Sequence, residues 1–302
     1  MSAHAVDGSR RDDDPELLPR HAARSSLREA LDGLRYGVRS AVSPHVLQGA
    51  VVELGWLATR LTLYPLSFIG GSGHRVDRLT LTGLTPAQRS LLVTDVRAAG
   101  TPILFTHGIV DNHTVFAVMR RQLLRRGFSR LRTFSYSPLT LDVRRTAERM
   151  RGEIEALCEE SGSEQIHVIG HSLGGLIARY YIQRLGGHER VHTCVTLGTP
   201  HQGTMAARLL PWPLVKQVRP DSELIAELAE PAPGCSTRFL ALYSDVDQLI
   251  VPQRRARISH PDLIARNVRI RGVGHLSLPF NSEVVHQICG ALSHLDERGG
   301  IT

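Results

Sequence analysis

A serine hydroxyl is a useful nucleophile only when its oxygen stands clear of the backbone, facing a base and hydrogen-bond donors. The run Gln165-Ile166-His167-Val168-Ile169-Gly170-His171-Ser172-Leu173-Gly174-Gly175-Leu176 has the composition for such a presentation. A β-branched stretch precedes Ser172, while Leu173, Leu176, Ile177, Tyr180 and Tyr181 follow at helical spacing. Gly170 and Gly174 let a strand and a helix pass close together around a strained residue. A plain glycine-rich turn would share the G-x-S-x-G spacing, but not the strand before it and the helix after it. The stretch is therefore read as a nucleophile elbow with Ser172 at its apex.

Such a serine needs a general base, an orienting carboxylate and an oxyanion hole, and behind an elbow the chain order is Ser, Asp or Glu, His. Seven of the fifteen histidines follow Ser172. His275 lies in Gly272-Val273-Gly274-His275, on a loop after the last strand, whereas His286 and His294 fall in the final helix. His171 flanks the nucleophile but cannot take its proton in this geometry. Two acids end the preceding strand in Tyr243-Ser244-Asp245-Val246-Asp247-Gln248-Leu249-Ile250-Val251-Pro252. Asp247 is the expected partner of His275, because it lies just before an apolar turn that can aim it back. Asp245 is the reserve, with a turn cap as its simpler role. One oxyanion donor is the N–H of Leu173. The other is the N–H of Ile109, in the loop His107-Gly108-Ile109-Val110-Asp111-Asn112, where Gly108 lets the backbone turn its amides. His107 is read as a support for that loop.

The elements that must carry these residues alternate from Thr101 onward. Pro102 to Thr106 reads as a buried strand, Val115 to Leu124 as a helix, and Leu131 to Tyr136 as a second strand. Asp142 caps a helix whose apolar positions are Val143, Ala147, Met150, Ile154 and Leu157. After the elbow come strands at Val191 to Leu197, Phe239 to Tyr243 and Val268 to Ile270, and a helix from Ser282 to Leu295. This βαβ spacing predicts an α/β fold with a mostly parallel central sheet covered by helices on both faces. Residues 96–298 form the expected catalytic domain, with 1–25 a disordered tail and 26–95 a helical extension. Between strands, 202–236 is too long and too apolar for a simple loop. It is read as a helical, lid-like insertion with a helix capped at Asp221.

The formal charge is +7 and the isoelectric point about 9.7. The basic residues are scattered on polar helix faces, so no nucleic-acid partner is expected. Val46 to Ile69 is apolar, but Glu53, Arg60 and Pro65 interrupt it, which predicts a membrane-surface or packing helix rather than a span. Cys158, Cys194, Cys235 and Cys289 have no metal-ligand spacing, and no metal or cofactor is expected. Residues 1–20 lack the apolar core of a secretory signal, so the expected location is cytoplasmic, with membrane association.

Taken together, His107-Gly108-Ile109, Gly170-His171-Ser172-Leu173-Gly174-Gly175, Leu197-Gly198-Thr199-Pro200-His201-Gln202-Gly203-Thr204, the Tyr243 to Pro252 acid turn and Gly272-Val273-Gly274-His275 resemble the bacterial triacylglycerol lipases and esterases of the α/β-hydrolase superfamily. They are collinear over roughly residues 100–295. The resemblance implies an α/β-hydrolase fold and a serine ester hydrolase acting on acyl-ester or lipid substrates, and it supports Asp247 and His275. Residues 1–95 match none of that pattern, nor can a calcium site of the larger bacterial lipases be placed. The rival activities are a hydrolase-fold acyltransferase or a phospholipid deacylase using the same residues. The rival from another class is a non-enzymatic binding member of the fold.

Overall fold

A computed structural model describes residues 100–109, 113–136, 142–209 and 212–293. The tail, the 26–95 extension and the Val46 to Ile69 helix lie outside the described residues, as do Val110, Asp111 and Asn112.

Six strands form one sheet: β1 Ile103–Thr106, β2 Leu131–Phe134, β3 Ile166–His171, β4 Val191–Leu197, β5 Arg238–Ser244 and β6 Ile264–Ile270. Their order is β2-β1-β3-β4-β5-β6, and every pairing is parallel. The inner strands are buried on both faces, and β1 reads as a near-continuous apolar run for that reason. One face packs against the helices α1 Ala117–Arg125 and α6 Ser282–Ser293, through Met119, Leu123, Val284, Ile288 and Leu292. The other packs against α2 Val143–Ser161 and α3 Leu173–Arg184, through Met150, Ile154, Leu176 and Ile177. The expected α/β architecture with both faces covered is present, with a sheet that is wholly parallel among the described strands.

Element boundaries depart from the expectations in three places. A 3₁₀ turn at His113–Phe116 precedes α1, so only part of the expected helix is α-helical. β2 ends at Phe134 rather than Tyr136. β6 begins at Ile264, four residues before its apolar core; as an edge strand it is exposed over much of its length, so burial left little apolar pattern to read. Asp142 does cap α2, its side chain accepting the Arg144 and Arg145 N–H groups at 2.7 and 3.2 Å.

The 202–236 insertion holds two short helices, α4 Pro213–Lys216 and α5 Glu223–Glu227. Leu214, Val215, Val218, Leu224, Leu228, Ala232 and Cys235 are buried in the core on the α2–α3 side. The cap of α5 is Ser222, not Asp221: the Ser222 hydroxyl accepts the Ile225 N–H, while Asp221 pairs with Arg208 at 3.0 Å. Buried Arg179 of α3 donates to the carbonyls of His201 and Leu228, at 3.0 and 2.8 Å, and so ties the start of the insertion and the end of α5 to the elbow helix. Burial pulls its guanidinium down to about 10.

Candidate active site

The chain runs from β1 outward to β2, then returns to lay β3 on the other side of β1. In open parallel sheets such a reversal opens a crevice beyond the carboxyl ends of the strands. The two expected oxyanion donors follow the two strands at this point: Ile109 comes three residues after β1, and Leu173 opens α3 just after β3. As the first residue of a helix, Leu173 has an N–H with no intrahelical partner.

Ser172 sits between β3 and α3 with φ 53° and ψ −121°. Among the described residues it is the sole non-glycine with positive φ. Such a conformation costs about 1–3 kcal/mol and persists only where its surroundings hold it. Here its N–H donates to the Leu197 carbonyl at 2.8 Å, and its carbonyl accepts the Thr199 hydroxyl at 2.9 Å. The flanking glycines are required by contact. A methyl group at Gly170 would stand 2.5 Å from the Gly175 backbone, and one at Gly174 would stand 2.3 Å from the Thr106 carbonyl oxygen. The elbow helix is thereby pressed onto the end of β1, where the Ile109 loop begins. Ser172 remains partly open to solvent while its neighbours His171 and Leu173 are buried.

His275 and Asp247 are each 1% exposed, and His275 Nδ1 lies 2.7 Å from Asp247 Oδ2. An ionised carboxylate only accepts, so this bond leaves the proton on Nδ1 and directs the lone pair to Nε2. The other oxygen, Oδ1, accepts the N–H groups of Leu249 and Ile250 at 2.9 and 2.8 Å. The apolar turn therefore aims the acid through its backbone. Asp245 does not face His275. Its Oδ1 accepts the Gly272 N–H at 2.9 Å, anchoring the loop that delivers His275.

Two contacts bring the pair to the elbow. His171 Nε2 lies 3.2 Å from the His275 carbonyl oxygen, with the two rings 5.0 Å apart. Gly198, just past β4, has φ 55°. A methyl group there would come within 3.0 Å of His275 Nδ1 and 3.1 Å of Asp247 Oδ2, so a bare backbone is needed beside the pair.

One residue escaped the sequence reading. Tyr136 stacks on His107 with ring centroids 4.5 Å apart and planes 8° apart. Its hydroxyl donates to the His107 carbonyl at 2.8 Å, and burial pushes its phenol well above the ordinary tyrosine range, which keeps it a donor. His107 does support the loop, with Nδ1 2.9 Å from the Gly108 carbonyl oxygen, but it is itself held by Tyr136. The signal lies in strand register: Thr106 pairs with Phe134, so two residues past β2 stand beside the turn that leads to Ile109.

Among the described residues no group of three or more His, Cys, Asp or Glu side chains could hold a metal ion.

The six-stranded parallel sheet in this order is that of the α/β-hydrolase fold, with the strained serine at its reversal and the buried acid–histidine pair beside it. Solved lipase structures share the fold. Aspergillus fumigatus lipase B superposes with a TM-score of 0.58 at 16% identity, over 72% of this chain and 59% of that one. Bacillus licheniformis lipase BlEst2, in its mature form, gives 0.56 at 16% identity, over 65% of this chain and 93% of that one. The chain thus spans about three fifths of the fungal lipase. Residues 102–253 match the model of the palmitoyl protein thioesterase family, and the chain belongs to that family.

Proposed function

We propose that the protein is a serine carboxylic-ester hydrolase working through an acyl-enzyme. Ser172 Oγ attacks the acyl carbonyl while His275 Nε2 takes the hydroxyl proton, and Asp247 stabilises the imidazolium that forms. The carbonyl oxygen becomes an oxyanion held by the N–H groups of Ile109 and Leu173. As the tetrahedral intermediate collapses, the bond to the leaving group breaks and His275 returns the proton to it. Water then attacks the acyl-enzyme with His275 again as base, releasing the acid and restoring Ser172. The observation that carries this reading is the strained conformation of Ser172, beside an elbow held against the loop after β1. Strain of this kind collects at functional sites.

The substrate is an acyl ester, and the family's description favours a second reading for the leaving group, the thiol of a long-chain acyl thioester. The same steps serve both, with a thiolate replacing the alkoxide. An alcohol in place of the attacking water would make the enzyme an acyltransferase.

Ser172→Ala is expected to abolish hydrolysis of chromogenic acyl esters and acyl thioesters, and labelling by a fluorophosphonate, while leaving the circular dichroism spectrum unchanged. Residual activity equal to the wild type would overturn the reading. Relative rates on matched oxygen and sulfur esters decide the leaving group, and product partitioning between water and added alcohol decides the acceptor.

A further inference from the structure

Seven large apolar side chains are exposed among the described residues, and five of them gather on two neighbouring segments. Met205, Leu209 and Trp212 belong to the insertion and are exposed, at 41%, 83% and 58%. Leu249 and Val251 lie on the acid turn, at 48% and 39%. The segments are joined directly. The Met205 N–H donates to the Val251 carbonyl at 2.9 Å. The Thr204 hydroxyl donates to the Leu249 carbonyl at 2.7 Å and accepts the Val251 N–H at 2.9 Å. Beyond Met205, the Arg219 guanidinium holds the Ala207 carbonyl at 3.2 Å, so the turn leading to Leu209 is braced from within. The inner side of the insertion already fills the core with Ala207, Leu214, Val215 and Val218. Its outer side is apolar as well, which a water-facing surface does not need.

The two segments themselves carry charge of one sign. Residues 202–220 and 248–257 contain Arg208, Lys216, Arg219, Arg254, Arg255 and Arg257, and neither stretch contains an aspartate or glutamate. Asp221, the next residue after the first stretch, pairs with Arg208 at 3.0 Å.

We propose that this ridge is a docking surface for an anionic lipid bilayer. Apolar side chains set in a cationic frame match both layers of such a surface: the ridge enters the acyl boundary while the guanidinium and ammonium groups stay among the headgroups. Trp212 suits the boundary, where an indole keeps an apolar body and a polar edge. Leu249 and Val251 stand two and four residues beyond Asp247, so docking brings lipid against the turn that holds the acid–histidine pair. This contact is distinct from the one expected of Val46 to Ile69, and it holds whatever bond the site cleaves.

The test uses the full chain and defined vesicles. The protein has two tryptophans, so Trp56→Phe leaves Trp212 as the sole indole. Its emission is expected to shift to the blue with mixed phosphatidylcholine–phosphatidylglycerol vesicles, and to stay unchanged with phosphatidylcholine alone. In sedimentation, the Leu209→Ser/Trp212→Ser double variant should lose roughly tenfold or more in partitioning to the anionic vesicles. A Val118→Ser/Ile264→Ser control removes the other two exposed apolar side chains and should bind as the wild type does. If the ridge variant fails to fold, the emission of Trp212 still decides. The proposal is overturned by protein that pellets while Trp212 emission is unmoved, by equal losses in the ridge and control variants, by equal binding to neutral vesicles, or by no binding.

Discussion

Replacing Asp247 by asparagine tests the proposed chemistry most directly, and the hydrogen bonds of its two carboxylate oxygens set the expected direction of the effect. The carboxylate uses Oδ1 to accept the Leu249 and Ile250 N–H groups and Oδ2 to accept His275 Nδ1 at 2.7 Å. An asparagine has one acceptor oxygen, and the two backbone donors will claim it. Its amide NH₂ then faces His275 and must donate to Nδ1, which moves the ring proton to Nε2. In that tautomer Nε2 cannot accept the Ser172 proton, and the positive charge on the ring loses its buried counter-ion. The same tautomer reversal in a serine-protease triad lowers kcat about 10⁴-fold, equivalent to about 5.4 kcal/mol of barrier. We expect a loss of that order for Asp247→Asn in hydrolysis of a soluble chromogenic ester. The fold should survive, because the acceptor for the two turn amides survives. Asp245→Asn is the matched control. It keeps the acceptor for Gly272, so its rate should stay within about fivefold of the wild type, the equivalent of one hydrogen bond worth about 1 kcal/mol. Asp247→Asn with more than about a tenth of wild-type kcat, or an equal loss in Asp245→Asn, would refute the reasoning.

Tyr136→Phe keeps the stack on His107 but removes the donor to its carbonyl. A neutral hydrogen bond worth about 0.5–1.5 kcal/mol predicts a two- to tenfold fall in kcat with KM little changed. A rise in KM at constant kcat would instead make Tyr136 part of substrate binding. A pH prediction rests on His167, whose ring is fully buried with no hydrogen-bond partner on either nitrogen; burial, aided by His192, holds its imidazole down at about 3. Above pH 6.5 both the folded and unfolded states are neutral at this residue, and it contributes no pH dependence. Below 6.5 the unfolded chain takes up a proton that the folded chain refuses until about pH 3, so stability falls by up to about 1.4 kcal/mol per pH unit. Buried His201, lowered likewise by burial, acts in the same direction. Melting of His167→Leu and wild type should therefore diverge in favour of the variant as pH falls from 7 to 5, and parallel curves would refute the assignment.

Much of the fold was legible because its signals are local. The apolar runs at Ile103–Thr106 and Val191–Leu197 are strands buried on both faces, and the periodic positions from Val143 to Leu157 form one helix face. Asp142 was read correctly as a cap because capping spans two or three residues. Legibility failed where burial is one-sided or where a choice lies between neighbours. β6 was read short because an edge strand keeps polar residues, and Ser222 rather than Asp221 caps α5 because the helix begins one residue later, while Asp221 pairs with Arg208, thirteen residues away.

By itself the sequence determined the strand–turn–helix around Ser172, with glycines where backbones must touch, and the order of the residues that could serve it. Only the tertiary structure decided which of them meet. Asp247 rather than Asp245 faces His275 because the amides of Leu249 and Ile250 turn it, while Asp245 binds Gly272. Tyr136 reaches the Ile109 loop because β2 pairs with β1 in the register that sets Phe134 beside Thr106. Met205 stands beside Leu249 and Val251 because Thr204 joins two segments more than forty residues apart. Local periodicity specifies elements, whereas these meetings depend on sheet register and loop closure, whose partners are distant in the chain.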